Sequence, residues 1–197
     1  MGFLIEKGRS CRILLRDTEP EAVKIAVENL KVDLVKVFDE DILVECITSL
    51  ADQIAKNNTL NKTAMVQIET LAWSGCRKEE YRLNVRDGVL YITGADRRGT
   101  IYGIYEFSEM LGVSPWYFWA DVPVKTKDSF RLPEGYEKCD APSIEYRGIF
   151  INDEEELDRW VQAHMGEDTI GVRTYEKIFE LLLRLKANYI WPAMHVN

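Results

Sequence analysis

The sequence predicts an α/β protein with two domains. Short apolar runs rich in β-branched and aromatic residues alternate along the chain with longer segments whose apolar residues recur at helical spacing. One segment, Pro133–Pro142, is rich in proline, glycine and charge, which is typical of a linker between domains. We therefore expect a mixed-sheet α/β domain over residues 1–135, and a linker with the start of a second α/β domain over residues 136–197.

The first domain is predicted to begin with a strand, a helix and a second strand. Cys11–Arg16 and Ile42–Ile47 have the apolar content of strands. Thr18 and Glu21 have the spacing of a capping box, which predicts that the helix starts between these strands. A short helix is expected over Ser49–Lys56. The first helix should bury one continuous apolar face, made of Val23, Ala26, Val27, Leu30, Leu34 and Val37.

A β-hairpin is predicted in the middle of this domain. Asp87 and Gly88 lie between two alternating runs, Tyr81–Val85 and Val89–Thr93, and Asp-Gly is a strong turn signal. Met65–Ile68, earlier in the chain, fits either a strand or a helical turn.

A second helix, Ile101–Leu111, is expected to follow the hairpin and to end at Gly112 in a left-handed conformation. The next stretch, through Pro123, is dense in aromatic residues and broken by proline, so no regular element is expected there. Phe130–Leu132 is a candidate for a last short strand of this domain.

The second domain is predicted to start with a βαβ unit. Glu145–Ile151 and Tyr189–Trp191 are short apolar runs on either side of a predicted helix, Thr174–Ala187, with Thr174 as its N-cap and Asn188 as its left-handed end. Within the polar stretch before that helix, a short helix could form around Leu157, Trp160 and Val161. Two parallel strands and one helix do not close a core, so we expect the chain to be truncated within this domain.

Composition excludes several classes of function. Acidic residues outnumber basic ones by 33 to 25, giving a formal charge of −8, which argues against non-specific binding of nucleic acid. The four cysteines have no zinc-site spacing, and neither phosphate-loop glycine motif is present, so we expect no metal and no cofactor. No apolar stretch near the N-terminus is long enough for a signal peptide or a membrane span. The chain is therefore expected to be cytoplasmic as written, or secreted if a leader is missing.

Polar residues follow both predicted strands of the second domain. Asn152, Asp153 and Glu154 come directly after the first strand, and His195 follows Trp191 after the second. In parallel α/β folds the chemistry lies at the carboxyl ends of strands, so these residues are candidates for acid, base or substrate contacts. The alternative is a solvated helix N-terminus, because Asp153 and Glu154 begin an acidic run that suits the helix dipole. Trp191 could stack on a sugar or pack in a core.

Arg97 and Arg98 precede the second predicted helix, where positive charge opposes the helix dipole. They are therefore expected to have anionic partners: either a substrate carboxylate or phosphate, or carboxylates in an interdomain salt-bridge set. The aromatic cluster Trp116–Trp119 likewise fits either stacking on a carbohydrate or packing between the domains.

Four segments together resemble glycoside hydrolase family 115, the xylan α-1,2-glucuronidases. Tyr146–Glu154 resembles the opening barrel strand of the family and Phe179–Met194 its next motif. Gly94–Tyr105 and the stretch from Gly112 to Pro123 are similar to the signature of the family's N-terminal domain. His195 stands where a second aromatic residue is expected, which leaves the detailed pocket contacts open.

The resemblance implies an N-terminal α/β domain followed by the first β-α-β of a (β/α)8 TIM barrel, truncated here. It implies removal of glucuronic acid or its 4-O-methyl ether from xylan side chains by an inverting, two-carboxylate mechanism without a cofactor. Glu154 and Asp153 are then candidate catalytic residues, and the candidate substrate-binding residues are Asn152, Trp191, His195, Arg97 and Arg98. The expected partners are glucuronoxylan or aldouronic oligosaccharides, with no nucleic acid or membrane, and a homodimer is one expected state of the full-length protein. The fragment alone is expected to be inactive.

Overall fold

The computed structural model describes residues 2–39, 42–47, 63–152 and 155–193. Within these residues the chain forms two compact units, Met1–Pro142 and Ser143–Asn197. The elements, in chain order, are β1 (Phe3–Glu6), β2 (Cys11–Arg16), α1 (Glu21–Phe38), β3 (Ile42–Ile47), β4 (Ala64–Thr70), β5 (Tyr81–Arg86), β6 (Val89–Gly94), α2 (Arg97–Leu111), β7 (Ser129–Leu132), β8 (Glu137–Asp140), β9 (Gly148–Phe150), α3 (Glu155–His164), α4 (Val172–Arg184) and β10 (Tyr189–Trp191).

The first unit is built on a mixed six-stranded sheet with the order β3-β2-β4-β6-β5-β8. The strands β3, β2, β4 and β6 run parallel, and β5 and β8 are antiparallel to their neighbours. The helix α2 packs against α1 and against β4, β5 and β6. The predicted apolar face of α1 is fully buried, which confirms that part of the prediction. The predicted mixed-sheet α/β class is therefore confirmed for this unit.

The predicted hairpin is confirmed as β5 and β6. Asp87 and Gly88 have φ values of 54° and 74°, the left-handed values that a two-residue turn between twisted strands requires. The ambiguous Met65–Ile68 run lies within β4, a strand. The short helix predicted over Ser49–Lys56 falls outside the described residues.

The sequence pattern missed two strands of the first unit. β1 pairs antiparallel with β7, and its Phe3 and Ile5 side chains are buried. The Pro133–Pro142 segment, interpreted as a linker, contains β8, which pairs with β5 at the edge of the six-stranded sheet. Its charged composition suits an edge strand as well as a linker, which is why composition alone gave the wrong answer.

Both helix starts of the first unit differ from the predicted ones. The capping-box prediction is wrong, because α1 begins after Pro20 without a side-chain cap. Glu19, which follows Thr18, is buried and accepts hydrogen bonds from Thr70. The helix α2 begins at Arg97, earlier than predicted, because Asp96 accepts a hydrogen bond from the amide of Gly99 at 2.9 Å. Gly112 ends α2 with φ 99°, as expected.

The second unit contains the predicted parallel strand pair. β9 and β10 pair in parallel with Phe150 opposite Trp191, and α3 and α4 lie between them in the chain. The short helix expected around Trp160 is confirmed as α3. The predicted cap of α4 is wrong, since Gly171 occupies the N-cap position.

The turn from α4 into β10 is fixed by Asn188 and Arg147. Lys186, not Asn188, takes the left-handed conformation, with φ 58°. The Asn188 side chain accepts a hydrogen bond from the amide of Arg147 at 3.1 Å and donates one to the carbonyl of Glu145 at 2.7 Å. Arg147 Nε in turn donates to the carbonyl of Lys186 at 2.6 Å. These bonds close the amino end of the strand pair.

No helix among the described residues combines the length and the apolar content needed to span a membrane.

Replacing Asn188 with alanine should destabilise the second unit, because the amide of Arg147 loses its side-chain acceptor and the carbonyl of Glu145 loses one of its two donors. We expect a loss of about 1–3 kcal/mol in the free energy of unfolding, measured by urea denaturation. Glu176→Ala, an exposed change on α4, is the matched control and should alter stability by less than about 0.5 kcal/mol. Equal effects of the two substitutions would contradict the role given to Asn188.

Candidate active site

The carboxyl ends of β9 and β10 lie side by side. The amide of Ile151 donates to the carbonyl of Trp191 at 2.8 Å, so the parallel ladder continues one residue past β9. Asn152 follows directly and is exposed at this edge. The predicted site residues Asp153, Glu154 and His195 lie outside the described residues, so their roles stay predictions.

Four aromatic side chains share one face of the β9–β10 pair. Because paired residues of parallel strands point to the same side, Phe150 lies beside Trp191, with ring centroids 5.6 Å apart. Tyr146 and Tyr189 form the second pair, at 6.5 Å. We call Tyr146, Phe150, Tyr189 and Trp191 the aromatic face; their exposed fractions are 71%, 57%, 48% and 53%. Strand alternation assigns Asn152 to the same side as Phe150, at the carboxyl edge.

Tyr175 is a residue of this edge that the sequence did not identify. Its hydroxyl accepts a hydrogen bond from the amide of Ala193 at 3.2 Å, which ties the segment after β10 to the first turns of α4. Nothing in the sequence pattern distinguishes Tyr175 from an ordinary helix-face aromatic, because the contact depends on how β10 and α4 pack.

The connection between β9 and α4 is held by hydrogen bonds to the side chain of Glu167. The Glu167 carboxylate accepts hydrogen bonds from the amides of Arg173 and Thr174, at 2.9 and 3.0 Å, and from the Thr174 hydroxyl at 2.7 Å. Glu167, in the preceding loop, therefore caps α4, and Thr174, which was predicted to be the N-cap, is one of the residues that donate to it. A further hydrogen bond, from Thr169 to Asp158 at 2.9 Å, joins this loop to α3.

The hydrogen bonds to Glu167 also lower the pKa of its carboxyl group. The largest cause is the hydrogen bond from the Thr174 hydroxyl, and the two backbone amides and the charge of Arg173 act in the same direction. A carboxylate at a helix N-terminus also interacts favourably with the positive end of the helix dipole. The loop that follows the candidate site is therefore anchored by an ionised side chain.

The two arginines before α2 have different surroundings. Arg98 donates to the buried Glu79 at 3.0 Å, and both belong to the first unit, so the interdomain salt bridge proposed for it is wrong. Arg97 is exposed. The substrate contacts predicted for Arg97 and Arg98 stay predictions.

Among the described residues, no cluster of three or more His, Cys, Asp or Glu side chains has the arrangement of a metal site.

Comparison with known proteins identifies the family. The model of glycosyl hydrolase family 115 matches residues 139–197. A solved structure described as a novel family GH115 4-O-methyl-α-glucuronidase, BtGH115A, with specificity for decorated arabinogalactans, is 36% identical to the chain over 98% of its length, with a TM-score of 0.81. The chain belongs to glycoside hydrolase family 115. It spans about a quarter of that solved chain, 26% of its length.

Other similarities of this family 115 chain concern the fold alone. A mutant β-hexosaminidase from Streptomyces plicatus is 14% identical, with a TM-score of 0.53; the match covers 96% of the chain and 31% of the hexosaminidase. A β-N-acetylhexosaminidase from Bacteroides fragilis is 16% identical, with a TM-score of 0.51 and coverage of 96% and 30%. No curated protein sequence matches the chain.

Glu167→Gln should change how the stability of this family 115 chain depends on pH. Because the pKa of Glu167 is lower in the folded state, its ionised form contributes stability above the unfolded pKa of about 4.3, and that contribution is lost as the pH falls through the folded value. We expect the variant to melt at a lower temperature than wild type at pH 7, with a smaller difference near pH 3. Glu176→Gln on α4 is the matched control. A constant difference between variant and wild type at all pH values would contradict the assignment.

Proposed function

We propose that the chain is the N-terminal part of a glycoside hydrolase that removes (4-O-methyl-)α-D-glucuronic acid side chains from xylan. The observation that carries this proposal is its 36% identity over 98% of its length to a 4-O-methyl-α-glucuronidase of the same family. The glucuronidase is described as specific for decorated arabinogalactans, so an arabinogalactan main chain is the second candidate acceptor. With either main chain, the reaction removes a uronic acid from a neutral polysaccharide.

We propose that β9, α4 and β10 begin a (β/α)8 barrel. Support comes from the parallel pairing of β9 with β10 and from the aromatic face, which leaves four large side chains about half exposed or more. In a closed barrel, alternate residues of each strand point into a packed interior, and the carboxyl ends of the strands carry the active site. On this proposal the aromatic face supplies interior residues of the barrel, and Asn152 supplies a residue of the active site.

The reaction we propose is inverting hydrolysis by two carboxyl groups. One carboxylic acid protonates the departing glycosidic oxygen, while a carboxylate takes a proton from the water that attacks the opposite face of the sugar. The two groups must lie about 6.5–9.5 Å apart to admit that water. Glu154 and Asp153 are our candidates from this chain, with the assignment of acid and base left open. Asn152, Trp191, His195, Arg97 and Arg98 are candidate contacts to the uronic acid and its chain.

A free-standing carbohydrate-binding module is the alternative function. Its support is the aromatic cluster Trp116–Trp119, in which Trp116 is 45% exposed and the ring centroids of Phe118 and Trp119 lie 5.4 Å apart. Such a module would bind the polysaccharide without turnover in any version of the protein.

The proposed activity is tested by incubating the full-length enzyme with glucuronoxylan, with aldouronic oligosaccharides and with an arabinogalactan that carries 4-O-methylglucuronic acid. We expect release of the uronic acid, with the anomer of inverted configuration seen first by NMR. We expect the 197-residue chain alone to release none, because it would supply two strands of the barrel. Binding without release by the full-length protein would favour the module, and release of N-acetylated sugars would overturn the assignment of substrate.

Glu154→Gln in the full-length enzyme should lower kcat by about 100-fold or more, the usual contribution of a general acid or base. The melting temperature should change little, because on this proposal the Glu154 carboxyl group serves the reaction and not the packing of the fold. Glu156→Gln, on the exposed start of α3, is the matched control with wild-type kcat expected. A large fall in melting temperature with normal kcat would instead support the helix N-terminus interpretation of Glu154.

A further inference from the structure

Across the strands β4, β5 and β6, the sheet of the first unit has one apolar face and one mostly polar face. Side chains alternate along β5: Tyr81, Leu83 and Val85 are buried, while the residues between them are exposed or half-buried. The helix α2 covers the buried side, where a Cβ added at Gly103 would meet Ile92 at 2.8 Å and Tyr81 at 3.3 Å. The opposite side, which we call the polar face, carries Gln67, Glu69, Arg82, Asn84, Arg86, Tyr91 and Thr93. Met65 and the buried Val89 lie on the same side, and the buried Leu14 of β2 borders it opposite Gln67.

Tyr91 lies at the centre of the polar face between two amide side chains. It is paired with Gln67 on β4 and with Asn84 on β5, so the three residues form one row across adjacent strands. All three are half-buried. A row of this kind offers a flat apolar ring flanked by planar hydrogen-bond donors and acceptors. That combination suits a sugar ring, which presents C–H groups on its faces and hydroxyl groups around its edge.

Arg86 adds a positive charge beside this row. Its guanidinium carbon lies 5.0 Å from the centroid of the Tyr91 ring, a cation–π contact that holds the side chain over the polar face. Arg86 is exposed, and no carboxylate among the described residues pairs with it. Other arginines of this unit are neutralised: Arg82 contacts Glu80 at 3.4 Å and Arg16 contacts Glu69 at 3.0 Å.

The charge pattern favours a ligand with a single carboxylate. A guanidinium group binds a carboxylate through two parallel N–H···O bonds, and Arg86 has that capacity unused by the described residues. Glu137 lies opposite Asn84 on the neighbouring strand β8. Its carboxylate repels a polyanion such as nucleic acid, whose affinity needs several cations along one surface. A mostly neutral chain with one acidic group meets less repulsion.

We propose that the polar face around Tyr91, Arg86, Asn84 and Gln67 binds an oligosaccharide that carries a uronic acid. Tyr91 contacts one sugar ring, Asn84 and Gln67 bond its hydroxyl groups, and Arg86 receives the uronate carboxylate. The site binds without turnover and holds an acidic polysaccharide on the first unit. The choice of a uronate as the acidic group rests on the proposed function; the sugar-ring and carboxylate contacts rest on the polar face itself.

The proposal is tested by titrating the full 197-residue chain with two ligands, monitored by calorimetry and by amide NMR shifts. One ligand is an aldouronic oligosaccharide and the other is the neutral xylose oligomer of the same length. We expect Arg86→Gln to weaken binding of the acidic ligand by about tenfold and to leave the neutral ligand unaffected, because one charge-assisted pair is lost. Arg131→Gln removes an exposed arginine from β7 and is the matched control, with wild-type affinity for both ligands.

Tyr91→Ala should weaken the binding of both ligands. If the alanine variant does not fold, Tyr91→Leu, which keeps the strand apolar, replaces it.

Three outcomes would overturn the proposal. They are equal affinity of Arg86→Gln and Arg131→Gln for the acidic ligand, amide shifts that avoid β4, β5 and β6, and tighter binding of an acidic peptide than of the aldouronic oligosaccharide.

Hydrolysis by the full-length enzyme separates this proposal from the proposed function. Binding that depends on Arg86 in a protein that releases no uronic acid would sustain this site and reject the glucuronidase. Release of uronic acid together with Arg86-independent binding would reject the site and leave the glucuronidase.

Discussion

The parallel pairing of β9 with β10 decides which side chains of the second unit can meet. Parallel strands put their carboxyl ends at one edge, so residues that are 40 positions apart in the sequence, such as Asn152 and Pro192, lie at the same edge. The register, with Phe150 opposite Trp191, also collects four aromatic side chains on one side of the pair. The bonds made by Asn188 and Arg147 close the other edge. Stability and candidate chemistry thus lie at opposite ends of the same two strands, as in other parallel α/β proteins.

In the first unit, buried carboxylates stabilise the fold. Glu19, Glu79, Glu80 and Glu106 are all buried, and each has partners that offset the cost of removing its charge from water. Glu106 accepts from the hydroxyl of Tyr81 at 2.8 Å and pairs with Lys138, which holds the edge strand β8 to α2. Burial and these acidic neighbours raise the pKa of Tyr81 well above its usual value, so its hydroxyl stays protonated as a donor. The buried carboxylates and the Tyr81 hydroxyl are structural, because they use their hydrogen-bonding capacity within the fold. Arg86 differs from them in having none of its capacity spent on a carboxylate of the described residues.

The sequence predicted elements well where local signals and tertiary contacts agree. The Asp87-Gly88 turn and the apolar face of α1 depend on turn residues and on periodicity that act locally. The parallel pairing of β9 with β10 follows from the strand–helix–strand order, because such crossovers join parallel strands. The misses depend on contacts made across the fold. Thr18 has a capping-box spacing, but Glu19 bonds to Thr70 on a distant strand and α1 begins later. Thr174 has the chemistry of an N-cap, yet Glu167 caps α4 from the preceding loop. Asn152 and Trp191 could be chosen as candidate site residues from strand ends, whereas Tyr175 could not, because only its hydrogen bond with Ala193 reveals it.

The motifs that resemble family 115 carry two kinds of information, which the structure separates. In the Gly94–Tyr105 segment, a Cβ added at Gly94 would lie 1.9 Å from the amide nitrogen of Thr100, and one at Gly99 would lie 2.3 Å from the carbonyl oxygen of Glu80. No larger side chain fits either position, so the glycines of this motif are required by the approach of α2 to the sheet. The Tyr146–Glu154 segment contains one such glycine, Gly148, which lies against β10, but its aromatic residues Tyr146 and Phe150 are exposed. Packing among the described residues does not cover these two aromatic side chains. The glycines of the first motif are therefore explained by the fold of the first unit, whereas the exposed aromatic residues of the second motif are not explained by packing among the described residues.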